Sequence, residues 1–150
     1  AVPSEFSVGF WINPDANQNS YPLSIGSNSF YFVLNGSVIK VISPGLSSVT
    51  LSSGTAVPNS TWTHIMFTYT GETKTIYFNG VAVASEAATG TSNIGSTLLV
   101  GAVNSFGGNP EFNGDISYVS YYNRALSVSE ISTNCNALES RFTASNNICN

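Results

Sequence analysis

Hydrophobic and polar residues alternate along most of the chain, and the period is two. Phe6, Val8, Phe10 and Ile12 alternate with Ser7, Gly9, Trp11 and Asn13, which predicts a half-buried strand stopped by Asn13-Pro14-Asp15. In the run FYFVLNGSVIKVI, Asn35-Gly36 is a hairpin signal, because a tight two-residue turn needs positive φ. A turn there sets Leu34 opposite Ser37, Val33 opposite Val38 and Phe32 opposite Ile39. Phe30, Phe32, Leu34, Ile39 and Val41 then share one face, with Tyr31 and Lys40 on the other. A short strand is expected around Val49 to Leu51, followed by a loop to Ser60. Trp62 to Tyr69 predicts a further strand, and Thr70-Gly71-Glu72 a turn. Asn79-Gly80 predicts a second hairpin, with Ile76, Phe78, Val81 and Val83 on one side and Tyr77 and Ala82 on the other. Strands are expected at Leu98 to Gly101 and at Asp115 to Tyr122. Ser127-Val128-Ser129-Glu130 is a capping box and opens the one convincing helix, predicted from Val128 to about Glu139. Many short strands with turn residues between them predict an all-β, antiparallel two-sheet sandwich or jelly roll with one C-terminal helix, in one domain over residues 1–150.

Composition narrows the function. Hydrophobic residues are 42% of the 150, enough for a core, while charged residues are 8%, so Ser, Thr, Asn and Gly must cover the surface. Net charge is −4, and Lys40, Lys74, Arg124 and Arg141 are scattered; nucleic acid is not an expected partner. No apolar run approaches the ~18 residues of a membrane span. The absence of a leader pattern suggests a mature or trimmed product. Cys135 and Cys149 are the only cysteines. An even count, at a tail with little else to hold it, predicts a disulfide and an oxidising, extracellular setting. Asn35-Gly36-Ser37 and Asn59-Ser60-Thr61 are N-glycosylation sequons.

His64 is the only histidine, in the stretch TWTHIMFTYTGETKTIYFNGVAVAS. Catalysis would require a carboxylate or nucleophile oriented beside it, and no neighbouring residue supplies one. A packed structural histidine is the expectation.

Three motifs, in order, resemble those of laminin G-like, concanavalin A-like and pentraxin-like domains: FSVGFWINP, WTHIMFTYTGETKTIYFNGVAVAS, and FNGDISYVSYYNRALSVSEI from Phe112 to Ile131. The resemblance covers about residues 6 to 142 and implies the jelly-roll fold, with Trp62 and His64 on a scaffold strand. It does not imply catalysis. The departures are informative. Thr70 stands where many relatives carry Asp, and Ser117 and Tyr118 stand where many carry Asp-Glu. Calcium takes six to eight oxygens, usually several from carboxylates. Asp15, Glu111 and Asp115 are the loop carboxylates left for such a site. The hydrolase branch of the resemblance uses carboxylates at i, i+2 on one strand; none occur here, so no enzyme is expected. Relatives also carry a strand before this point. Its absence here would leave an edge open, to be filled by the C-terminal tail or by another chain, unless it is simple variation within the family.

Two functions follow. One is a non-enzymatic extracellular or particle-surface subunit that assembles into a filament, fibre or virion-surface layer through its edges. The other is a glycan-binding, lectin-like module, with calcium as a possible cofactor and Tyr21, Asn104, Phe106 and Asn109 as loop residues that could stack on or hydrogen-bond sugars.

Overall fold

The computed structural model describes residues 4–103, 109–144 and 147–149. Ten strands and one helix follow in order: β1 (Phe6–Pro14), β2 (Gln18–Ile25), β3 (Phe30–Gly36), β4 (Val38–Ile42), β5 (Thr50–Ala56), β6 (Thr63–Tyr69), β7 (Thr73–Phe78), β8 (Val81–Ala87), β9 (Leu98–Val100), β10 (Gly114–Tyr122) and α1 (Val128–Phe142). They form two five-stranded antiparallel sheets, β10-β1-β6-β7-β8 and β5-β4-β3-β2-β9, the expected sandwich. Between them lies an apolar layer that includes Phe6, Phe10, Phe30, Phe32, Phe67, Ile65, Ile76 and Val41. Phe6 and Phe30 meet edge to face, as do Phe10 and Phe32, with ring centroids 5.3 Å and 4.9 Å apart. Each fully buried aromatic or branched side chain here contributes about 1.5–3 kcal/mol.

Several local expectations move. In the first hairpin Asn35 pairs with Val38 and Leu34 with Ile39, so the loop is Gly36-Ser37 rather than Asn35-Gly36. Gly36 takes the positive φ, +67°, and Asn35 stays extended. Glycine at the first central position suits a tight turn of this kind. Moving the turn by one residue shifts the pairing by two, so the inward face keeps Phe30, Phe32, Leu34, Ile39 and Val41. In the second hairpin Asn79 (φ +50°) and Gly80 (φ +85°) make the expected turn. A bulge follows, setting Ala84 rather than Val83 opposite Ile76, and Val81 is left exposed instead of joining the core face. β2 is an addition, since the stretch QNSYPLSI lacks strict alternation and contains proline. A bulge between Ser20 and Leu23 absorbs Pro22, which has no N–H to offer a ladder. β5 runs on to Ala56, and α1 runs one turn beyond Glu139 to Phe142.

The largest departure concerns β1 and β6. Alternation predicts one wet face, yet both strands are buried almost throughout. The cause is α1 and the tail behind it, which lie on the outer side of the β1–β6–β7 sheet. Met66, Tyr77, Leu126 and Ile131 form one apolar cluster there. Trp11, Cys135 and Cys149 form another, with Trp62, Leu138, Phe142 and Ile148 against it. Gly9 leaves room for this layer: a Cβ there would come within 2.4 Å of Met66 Cε.

The capping box closes as expected. Glu130 N–H donates to Ser127 Oγ (3.3 Å), and Ser127 N–H donates to Glu130 Oε2 (2.9 Å). Arg124 grips the same carboxylate with both guanidinium nitrogens, at 2.9 and 2.7 Å. That grip pulls the Glu130 carboxyl down to about 2. Cys135 and Cys149 are joined by a disulfide, Cα to Cα 5.7 Å. The described tail residues pack on Trp11 instead of extending a sheet, so they do not supply an additional strand.

Candidate functional site

An open cleft of about 440 Å³ lies where the outer layer meets the end of the sandwich. Three distant segments build it: residues 56–63 at the start of β6, Phe78 and Asn79 at the β7–β8 turn, and Thr143, Ala144 and Ile148 after α1. Each wall is held. Val57 N–H donates to Ser37 O (2.8 Å) and Ser60 N–H to Pro14 O (2.7 Å), pinning the first segment. Trp62 stands against Phe142 at 4.7 Å, and Phe142 stacks on Trp11 at 4.6 Å. The tail wall hangs on Glu139, whose Oε1 accepts N–H bonds from Asn147 (2.5 Å), Ile148 and Cys149 (3.4 Å). Burial alone would raise the Glu139 carboxyl; the three N–H donors overcome it and hold the group low. The disulfide closes the same tail from the other side.

Among the described residues, the polar side chains of the lining are Thr61, Thr63, Asn79 and Thr143, and no charged residue lines it. The walls are otherwise apolar and aromatic. Such a surface suits a ligand with one apolar face and hydroxyls around its edge.

His64 lies beneath this layer. It is 4% exposed, its ring is 5.3 Å from the indole of Trp11, and its Nδ1 has no hydrogen-bond partner among the described residues. Desolvation pushes its pKa down to about 4, so the ring is neutral at pH 7. Burial is the only cause of that shift. The geometry is that of a packed scaffold residue.

The residues singled out from sequence fall in different places. Tyr21 sits in the β2 bulge, edge-on to Tyr31 at 5.8 Å, and bridges to Glu111. Asn109 is exposed nearby in sequence, and Asn104 and Phe106 lie outside the described residues. Asp15 follows β1, Glu111 joins Tyr21, and Asp115 pairs with Asn13 on the β1–β10 ladder. Among the described residues no three His, Cys, Asp or Glu side chains gather as a metal site would need. Asn35 and Asn59 are both exposed, and Asn59 Nδ2 donates to Asn17 Oδ1 at 2.7 Å, beside the cleft wall.

Sequence reasoning missed two residues. Asn79 reads as a turn former, yet it also lines the cleft; only the fold brings it beside Trp62. Lys74 is 0% exposed and ties one sheet to the other, donating to Ser48 O (2.7 Å) and Ser48 Oγ (3.2 Å) beside Glu86 (3.3 Å). Burial lowers its pKa, and Glu86 partly offsets that. A lone lysine amid β-branched residues carries no signal of burial.

Two facing five-stranded antiparallel sheets define a jelly-roll sandwich. The chain belongs to the concanavalin A-like lectin/glucanases superfamily, whose family model matches residues 1–132. No curated protein is close enough in sequence to match it. Among solved structures it is similar to a proposed carbohydrate binding protein from Bacteroides ovatus (TM-score 0.74, 17% identity), covering 87% of this chain and 40% of that one. It is also similar to a heptameric SAP-like pentraxin from Limulus polyphemus (TM-score 0.64, 17% identity, 89% and 71% covered). A third is domain 4 of an extracellular arabinanase from Geobacillus stearothermophilus, solved with arabinotriose (TM-score 0.62, 19% identity, 90% and 68% covered). The chain thus spans less than half of the first of these proteins. At these identities the likeness is one of fold.

Proposed function

We propose that the chain is a non-catalytic carbohydrate-binding module that works in an extracellular setting and takes a glycan in the cleft beside Trp62. The observation that carries this reading is the cleft itself: an indole and other apolar walls, with hydroxyl and amide groups and no charge in its lining. Aromatic rings stack on the C–H faces of sugars, while amides and hydroxyls meet the sugar hydroxyls. The carbohydrate-binding descriptions of its structural neighbours support it. The disulfide supports the setting. A glycosidase needs a pair of carboxyl groups at the scissile bond, and among the described residues no Asp or Glu lines the cleft. A glycan array probed with the labelled protein tests the proposal. Saturable binding to a subset of glycans, weakened by Trp62→Ala, is expected. A blank array removes it.

A second reading, assembly through sheet edges, is favoured by one observation. Leu98 and Val100 on β9 and Tyr118 and Tyr121 on β10 are four of the seven large apolar side chains left exposed among the described residues. β9 and β10 bound the same flank of the sandwich, because β5 lies against β8 on the other. An apolar flank with two edge strands is a site for self-association or for a strand from another chain, the first step toward a filament or surface layer. Tyr118 opposes flat pairing, since its φ of +50° marks a bulge that twists the edge. Light scattering on the eluting protein decides: a concentration-dependent oligomer that Tyr121→Lys abolishes supports assembly, and a monomer at every concentration removes it.

A further inference from the structure

Asn79 is bound to His64 twice, just past the last rung of the β6–β7 ladder. Its main-chain N–H donates to His64 O at 2.8 Å, and its side-chain Oδ1 accepts His64 N–H at 2.8 Å. The second bond fixes the amide's orientation by chemistry, because only the oxygen can receive a main-chain N–H. The amine Nδ2 is therefore on the other arm of a locked, planar group. No described residue takes its two N–H donors, and Asn79 lines the cleft. The other polar members of the lining are threonine hydroxyls, which both donate and accept.

An anionic sugar would find donors here but no counter-charge. No Lys or Arg lines the cleft, and the chain carries a net charge of −4. A carboxylate or sulfate entering it would lose hydration without an ion pair to replace it. A neutral hydroxyl has no such penalty and can accept from Nδ2.

Resting on the glycan-binding reading, we infer that Asn79 is the specificity-determining donor of the cleft: its Nδ2 amine hydrogen-bonds a hydroxyl of an uncharged sugar ring stacked on Trp62, and the site discriminates against acidic sugars.

The test uses the intact protein and four probes: arabinotriose, mannotriose, lactose and, as the acidic counterpart of lactose, sialyllactose. Trp11 is fully buried and Trp62 is not, so a change in tryptophan emission on titration reports Trp62. At least one neutral probe is expected to bind, and sialyllactose at least tenfold more weakly than lactose or not at all. Asn79→Asp keeps the oxygen that His64 requires and tolerates the turn's positive φ, but exchanges two donors for a charged acceptor. It is expected to weaken neutral binding at least tenfold with the melting temperature held within a few degrees. Asn79→Gly, which keeps the turn but removes the amide and with it the acceptor of the His64 N–H, is expected to weaken neutral binding as much and to lower the melting temperature more than Asn79→Asp does. Neutral binding that both variants leave intact overturns the role of Asn79. Preference for sialyllactose overturns the neutral class while leaving the module a glycan binder. No response to any neutral probe overturns the inference, and the array then decides separately whether the module binds glycans at all.

Discussion

The two faces of the β10-β1-β6-β7-β8 sheet are both buried, by different means. Its inner face meets the other sheet through phenylalanines and branched aliphatics, and nearly every atom there is apolar. Its outer face meets α1 and the tail through Trp11, His64, Met66 and Tyr77, and among the described residues that layer leaves Trp11 Nε1 and His64 Nδ1 without partners. The inner layer is a continuous core. The outer one is two small clusters held by a capping box, a disulfide and one carboxylate that receives three N–H groups. A sandwich can close on the first alone. The second builds the walls of the cleft, so architecture and candidate site rest on different interactions.

Perturbing each face should separate them. Phe67→Ala empties the inner layer and is expected to cost about 3–5 kcal/mol, close to global unfolding for a domain of this size. Chemical denaturation checks it; a loss under 1 kcal/mol would mean that the inner layer is not the fold's main support. On the outer face, acid is the sharpest tool. His64 is neutral in the fold with a pKa of about 4, below the 6.5 of the free side chain, so the unfolded chain binds its proton first. Stability is therefore lost as pH falls from 6.5 towards 4, by about 3 kcal/mol in total. His64→Leu should flatten that slope, and an unchanged slope in the variant would assign it elsewhere. Glu139 and Glu130 add losses of the same sign at lower pH, because both are held below their ordinary values in the fold.

Next in size is the tail. Cys149→Ser opens a loop with a sequence separation of 14 and should cost about 3 kcal/mol at most on the chain-entropy model. Because Ile148 belongs to the cleft wall, the same change should abolish saturable glycan binding while the far-ultraviolet spectrum stays that of a β-sandwich. Retained binding in the reduced protein would detach the tail from the site. Smallest is Ser127→Ala at the helix start, expected to cost about 1 kcal/mol. If that variant leaves binding intact, it shows that the helix cap supports the layer without shaping the cleft.

Legibility followed the range of the interaction. Alternation placed β1, β3, β4 and β6 because a strand's two-residue period is written in adjacent side chains. The Asn79-Gly80 turn and the Ser127–Glu130 box were legible for the same reason: four residues contain the whole geometry. β2 escaped because its proline sits in a bulge, where the usual objection to proline in a strand does not apply. The turn at Gly36 was misplaced by one residue because Asn-Gly and Gly-Ser are both acceptable loops, and only pairing with β2 and β5 settles between them. The resemblance of three motifs carried the fold further than any single strand could.

What the sequence alone determined was the sandwich: the inward residues of the first strand and first hairpin, where the helix starts, and that two cysteines near the end could close a loop. What only the tertiary structure decided was the outer layer. Nothing within a few residues of Trp62, Asn79 or Ile148 announces that they will meet, and nothing near Lys74 or His64 announces that they will be buried. Those outcomes depend on which surface a distant helix and tail come to cover. That is set by contacts between segments as far apart in the chain as Trp11 and Phe142, whose energy no local window contains.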